Sequence, residues 1–215
     1  MMKLILSLTL IWTLSSTAEA LQCWEGSVDE TQELLPCDSS QLCVTVATQG
    51  NESGNLIQSI SRRCFPSSLF SEGEHIFSFN VGFETMTASV HVCNTDGCNR
   101  EDIPYPGVQE KNNLQCFTCE DLYSAECKKK TVQCVGDEDR CINGTDYEDG
   151  EDYSHTLLGC ASSNLCEDSS YLENIFGFES VGRPKCCEGS FCNSAWSVKL
   201  NVITLLFGLT TLIIY

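Results

Sequence analysis

Sixteen cysteines in 215 residues, ten of them between Cys116 and Cys192, restrict this chain to folds held by covalent staples. The run closes with Cys186-Cys187, four further residues, and then Cys192-Asn193. A domain of about 80 residues buries too little apolar surface to be secure by packing alone, and an even cysteine count in a secreted chain reads as a disulfide framework.

The two ends of the chain indicate the compartment. Lys3 precedes an apolar run from Leu4 to Leu14 and then Ala18-Glu19-Ala20, the order of a secretory signal cleaved after Ala20. That run is shorter than the roughly 18 apolar residues a spanning helix requires. At the other end, small residues Asn193, Ser194 and Ala195 precede a polar spacer through Asn201 and an apolar tail from Val202 to Tyr215. A stop-transfer helix is normally longer and flanked by cationic residues, so the pattern reads as a GPI-attachment signal with Asn193 or Ser194 receiving the lipid.

Formal net charge is −18, and residues 21–193 keep 10 basic against 29 acidic side chains. Such a surface repels nucleic acid and anionic headgroups. Such a charge serves simple solubility before it serves a basic protein partner. An extracellular or cell-surface protein is the expected partner, with membrane contact supplied by the GPI lipid and no nucleic acid bound.

The mature chain also repeats itself. Leu21-Gln22-Cys23 returns as Leu114-Gln115-Cys116, and Cys93-x4-Cys98-Asn99 returns as Cys187-x4-Cys192-Asn193. Between them Cys37, Cys43 and Cys64 have counterparts at Cys134, Cys141 and Cys160, at offsets of 97, 98 and 96. One long period occurring twice means two copies of a domain. The expected organisation is a signal peptide (1–20), a first domain (21–99), a linker (100–113), a second domain (114–193) and a GPI propeptide (194–215). Pro104-Tyr105-Pro106-Gly107 marks the linker as an exposed stretch.

Local patterning favours strands. Ile76 to Phe79 and Thr85 to Val92 mix β-branched and aromatic residues in partial alternation, with a turn at Asn80 to Gly82. Asp168 to Phe176 lacks a sustained helical stripe and is closed by Gly177, so no helix is expected there.

Other uses of the cysteines fit less well. Cys116-Phe117-Thr118-Cys119 has the spacing of a redox pair or half a zinc site. The first needs a βαβ setting this chain lacks; the second leaves most other cysteines without a role. No metal or cofactor is expected. His75, His91 and His155 are the histidines, none set in a nucleophile motif, and no glycine-rich phosphate loop is present, so no catalytic residue is expected.

The order of the ten cysteines resembles the Ly6/uPAR, or three-finger, domain, which opens with Cys-x2-Cys and closes with adjacent cysteines followed by Cys-Asn. The resemblance covers both repeats and implies an all-β, disulfide-rich fold of two tandem three-finger domains. In the second repeat it implies bridges joining Cys116 to Cys141, Cys119 to Cys127, Cys134 to Cys160, Cys166 to Cys186, and Cys187 to Cys192. The first repeat departs from the pattern, with no second early bridge and no cysteine between Cys64 and Cys93. By position its bridges are Cys23 to Cys43, Cys37 to Cys64, and Cys93 to Cys98, and its third finger, about residues 65–92, is expected to be the less constrained one.

In such a fold the bridged base is scaffold and the loops are free to bind. The second repeat's fingers fall at 117–133, 142–159 and 167–185. Candidate partner-binding residues are Tyr147, Glu148, Asp149 and Tyr153 on the second finger and Phe176 and Phe178 on the third. A solvated hairpin tip and packing phenylalanines are the competing readings. Calcium binding does not fit the acidic run: with Gly150 at the sixth position of an EF-hand loop, Thr145 and Tyr147 fall where the first and third ligands belong.

Sequons at Asn51-Glu52-Ser53 and Asn143-Gly144-Thr145 are expected to be glycosylated. A glycan at Asn51 covers the tip of the first domain's second finger and shifts attention to the second domain. Taken together, the resemblance implies a GPI-anchored glycoprotein on the extracellular face of the plasma membrane, acting as receptor, co-receptor or adhesion molecule. The alternative is a secreted inhibitor or carrier resembling the family's two-domain phospholipase A2 inhibitors.

Overall fold

The computed structural model describes residues 20–28, 31–52, 54–120, 127–147, 154–168, 170–177 and 184–194. Most of residues 1–20 and 194–215, the stretches expected to be a signal peptide and a GPI propeptide, thus lies outside the described residues. The strands are β1 (Gln22–Ser27), β2 (Glu33–Pro36), β3 (Gln41–Glu52), β4 (Asn55–Pro66), β5 (Gly73–Asn80), β6 (Glu84–Cys93), β7 (Lys111–Cys119), β8 (Lys129–Val135), β9 (Arg140–Tyr147), β10 (Ser154–Ala161) and β11 (Lys185–Cys187). A 3-10 turn at Ser163–Cys166 and one α-helix, α1 (Ser170–Phe176), lie between β10 and β11. The chain is mostly β, as its composition of short alternating runs implies.

Two compact units divide the structure: the described parts of Met1–Thr45, Ile60–Glu74 and His91–Ile103 form one, those of Val46–Ser59, His75–Val90 and Pro104–Tyr215 the other. In the first unit β1 pairs antiparallel with β2 from Gln22↔Pro36 to Glu25↔Glu33, and with β4 at Gly26↔Arg62 and Ser27↔Ser61. A cysteine cluster lies in this unit beside buried apolar side chains that include Val44, Phe65 and Phe70. Cys23, Cys37 and Cys43 are buried, with Leu21, Cys64, Cys93 and Cys98 packed around them. Bridges join Cys23 to Cys43, Cys37 to Cys64 and Cys93 to Cys98.

The asparagine after the last cysteine closes this unit. Trp24 N–H donates to Asn99 Oδ1 at 2.9 Å, and Asn99 Nδ2 donates to the carbonyls of Trp24 (2.8 Å) and Val44 (3.2 Å). One buried amide thereby satisfies backbone groups on two strands at once.

The second unit repeats the device. Phe117 N–H donates to Asn193 Oδ1 at 3.0 Å, and Asn193 Nδ2 donates to Phe117 O (3.0 Å) and Ile142 O (2.8 Å). Cys116, Cys134, Cys141 and Cys160 form the buried centre, flanked by Leu114, Val132, Cys187 and Cys192. The bridges Cys116–Cys141, Cys119–Cys127, Cys134–Cys160, Cys166–Cys186 and Cys187–Cys192 complete sixteen paired cysteines, in the pairs that the resemblance implies.

Strands β7 and β8 form a two-stranded sheet, from Lys111↔Val135 to Cys119↔Lys129. β7 begins at Lys111, inside the segment read as linker. Asn112 draws it in: its side-chain nitrogen donates to the carbonyls of Gly136 (3.0 Å) and Glu138 (2.9 Å).

Within this second unit the strands run in the order β11-β9-β10-β5-β6. The third finger of the first repeat therefore shares a sheet with the second repeat, through Cys160↔Asn80 and Ala161↔Phe79. Ser162 N–H donates to Ser78 O at 2.9 Å and Ser78 N–H to Ser162 Oγ at 3.0 Å. Gly159 permits this approach, because a Cβ there would stand 2.2 Å from Asn80 O. The expectation that a cysteine-free third finger is the less constrained one is thus corrected. Backbone pairing and side-chain packing hold β5 where no bridge does.

The absence of a helix after Asp168 is likewise corrected. Ser170 N–H donates to Asp168 Oδ1 at 2.9 Å, starting α1, and Gly177, at φ 79°, ends it. Two turns are too short to display a stripe. The helix is fixed instead by packing: Tyr171 lies 4.9 Å from Phe77 and Phe176 5.0 Å from Phe79, centroid to centroid, over buried Leu172 and Ile175.

Candidate partner-binding surface

The β9–β10 hairpin flanks the acidic run that the sequence marks for recognition, with Tyr147 at the end of β9. Its register runs unbroken from Cys141↔Cys160 to Tyr147↔Ser154, and β11 lies beside it at Cys187↔Cys141 and Lys185↔Asn143. Two bridges, Cys116–Cys141 and Cys134–Cys160, pin its base, and the Asn193 amide ties to β9. The segment 148–153 that closes this hairpin contains the acidic run. Tyr147 ends β9; Glu148, Asp149, Tyr153 and Phe178 lie outside the described residues.

Phe176 is partly buried and meets Phe79 edge to face, at an interplanar angle of 88°. Its ring is engaged in packing on β5. Asn143 sits within β9 opposite Leu158, partly buried, whereas Asn51 is exposed near the end of β3. Asn193 is only 3% exposed, and Ser194 beside it is exposed, its carbonyl accepting from Lys129 Nζ.

A cleft of about 280 Å³ lies wholly within the second unit. Its walls are the β3–β4 tip (Gln49 to Asn51, Leu56), Thr85 and Thr87 of β6, the extended segment Gly107 to Gln109, and Val135 with Glu138. Leu56 and Val108 are apolar yet 66% and 93% exposed.

Glu138, which the sequence did not single out, is fully buried. One carboxylate oxygen accepts from Ser78 Oγ at 2.8 Å, the other from Val135 N–H at 2.9 Å, and Thr87 Oγ1 lies 3.2 Å from Ser78 Oγ. Burial pushes the carboxyl up to about 7, against the opposing pull of those two hydrogen bonds. Among the described residues no cation pairs with it. A buried Ser–Glu contact of this kind is no nucleophile, since Ser78 is 2% exposed. Nothing in the local sequence signals it: Gly136-Asp137-Glu138 reads as a polar turn.

Two cysteine triplets, Cys23/Cys37/Cys43 and Cys116/Cys134/Cys160, bring their sulfurs within 4.8 Å of one another. Every one of these sulfurs is spent in a disulfide, which leaves no thiolate to ligate a metal.

The doubled clamp and doubled cysteine core have a counterpart among known proteins: a u-PAR/Ly-6 domain model matches residues 20–101 and again 112–195. The chain belongs to the u-PAR/Ly-6 domain family. Among relatives in this family, a gamma-type phospholipase A2 inhibitor of Elaphe climacophora is 35% identical over 50% of this chain and 54% of its own. A urokinase plasminogen activator surface receptor of Bos taurus is 30% identical over 47% of this chain and 31% of its own. The chain thus spans about half, or less, of the length of these u-PAR/Ly-6 relatives. Mouse TEX101, a solved structure, aligns at 18% identity with a TM-score of 0.31, over 74% of this chain and 87% of its own.

Proposed function

We propose that this is a glycosylated cell-surface protein, anchored by GPI lipid at Asn193 or Ser194, that binds another protein through the second repeat's finger loops. It acts by recognition, as receptor, co-receptor or adhesion molecule, with no catalysis. The observation that carries this reading is the β9–β10 hairpin, whose base is pinned by two bridges while the loop it closes holds the acidic, tyrosine-flanked run. Binding residues concentrate on loops carried by rigid scaffolds. The urokinase plasminogen activator surface receptor and the phospholipase A2 inhibitors, by name, take protein partners, which supports the same role here.

Two outcomes test it. Phosphatidylinositol-specific phospholipase should strip the full-length protein from expressing cells, and retention on the surface sinks the anchor. Exposed Ser194 is the better placed attachment residue, since Asn193 is occupied as a clamp. Replacing Glu148, Asp149, Glu151 and Asp152 together by Ser should weaken capture of the partner found in an extracellular binding screen by tenfold or more, roughly 1.4 kcal/mol, without lowering surface level. Unchanged affinity would move the site elsewhere.

A second reading, a secreted inhibitor, is favoured by the 35% identity to the phospholipase A2 inhibitor of Elaphe climacophora. Recovery of the bulk of the protein in the culture medium, with none released by the phospholipase, selects it.

A further inference from the structure

We infer that the oligosaccharide on Asn51 folds back on its own protein, its first N-acetylglucosamine seated in the cleft of the second unit against Leu56 and Val108, closing that face to other ligands. This rests on the glycosylation proposed above.

The geometry at Asn51 carries the inference. The side chain lines the cleft and is exposed. Its carboxamide oxygen accepts the Gly54 N–H at 2.8 Å, which fixes the amide plane. The nitrogen, the atom that receives the sugar, makes no hydrogen bond among the described residues, and the residue that carries it is part of the cleft wall.

The cleft also has the chemistry of a pyranose site. A sugar ring offers an apolar C–H face and hydroxyl edges, and Leu56 with Val108 supplies apolar surface that would otherwise stand in water. Gly50 and Gly107 add no side chains to the walls. Gln49 accepts from Gln58 at 2.7 Å and Gln109 donates to Gly107 O at 2.9 Å, which leaves the Gln49 nitrogen and the Gln109 oxygen for hydroxyls. Pockets for drug-sized ligands run from about 300 Å³ upward, so a cleft of about 280 Å³ suits a single ring better than a peptide.

Charge points the same way. No basic residue lines the cleft, so an anion finds no counter-charge in its walls. An anionic ligand is disfavoured there and a neutral sugar is not.

The test uses the full chain, carrying Asn143→Gln so that Asn51 holds the one sequon glycan, made in cells restricted to high-mannose glycans and purified folded. An endoglycosidase that leaves one N-acetylglucosamine is compared with an amidase that removes the whole glycan. Binding of an apolar fluorescent dye should stay low in the intact and single-sugar forms and rise several-fold on complete removal. Leu56→Ser with Val108→Ser should abolish the rise. If the single-sugar form gains as much dye as the stripped form, or neither gains, the seated sugar is refuted while glycosylation stands. If Asn51→Gln leaves the untreated protein's mass unchanged, Asn51 carries no glycan and the underlying reading fails. Because stripping follows folding, a sugar needed only during folding cannot mimic the result.

Discussion

Cys134→Ser should keep the protein from reaching the cell surface. Cys134 is fully buried in the sulfur core of the second unit, and its bridge to Cys160 spans 26 residues. Opening a loop of that length costs about 3.5 kcal/mol in the chain-entropy model. Burying a hydroxyl where sulfur sat adds about 1–3 kcal/mol if it finds no partner. Against a typical net stability of roughly 5–15 kcal/mol, these two terms remove most of the margin. The partner thiol at Cys160 is then free to mispair with the neighbouring Cys116–Cys141 bridge. Cys134→Ala combined with Cys160→Ala separates the effects: mispairing is removed, the entropic loss stays. The single variant should be retained inside the cell as disulfide-linked species, and the double variant should be delivered at reduced level. Surface staining and non-reducing gels read both, and normal delivery of the single variant would show that this bridge is not needed for the fold.

The framework was legible because disulfide spacing is a local record of a global constraint. Cysteines at this density have few uses besides bridges, and the doubled Cys-Asn ending betrayed the repeat. Strands β5 and β6 were legible too, since β-branched and aromatic residues alternate there and Gly82, at φ 89°, supplies the turn between them. What sequence did not carry was how β5 is held. Gly159 reads as any strand glycine, and only the Asn80 carbonyl at its absent Cβ explains it. Ser78, Ser162 and Glu138 look like surface residues because hydrogen-bond satisfaction, which lets polar groups be buried, is invisible in a linear pattern. Helix α1 was missed for a related reason: Phe77 and Phe79, far away in sequence, provide the surface that makes two turns worth forming. Cys-Asn was read as an ending, whereas the asparagine is a structural clamp on both strands it reaches.

Glu138 makes that buried junction respond to pH. Its carboxyl ordinarily titrates at 4.5 and is pushed up to about 7 by burial. The groups facing it are Ser78 of β5, Thr87 behind that hydroxyl on β6 and the Val135 amide, none of them charged. Below pH 4.5 the carboxyl is protonated in both folded and unfolded chains, and its contribution to stability is fully present. As pH rises toward 7 the unfolded chain ionises first, so the unfolded state is favoured progressively; above 7 both forms are ionised and the loss levels off. A difference of this size corresponds to roughly 3 kcal/mol at most. Glu138→Gln should remove that slope. The glutamine oxygen can accept from Val135 and its nitrogen can donate to Ser78 Oγ, so both hydrogen bonds persist without a buried charge. Urea denaturation of the disulfide-intact protein at pH 4.5 and pH 8 gives the comparison. The variant should match the parent near pH 4.5 and exceed it by about 2–3 kcal/mol at pH 8, with carboxylates elsewhere cancelling in the difference. Parallel pH profiles for the two proteins would mean that Glu138 is ionised or hydrated in the folded chain, and the junction between β5 and the second repeat would then hold a solvated carboxylate in place of a neutral acid.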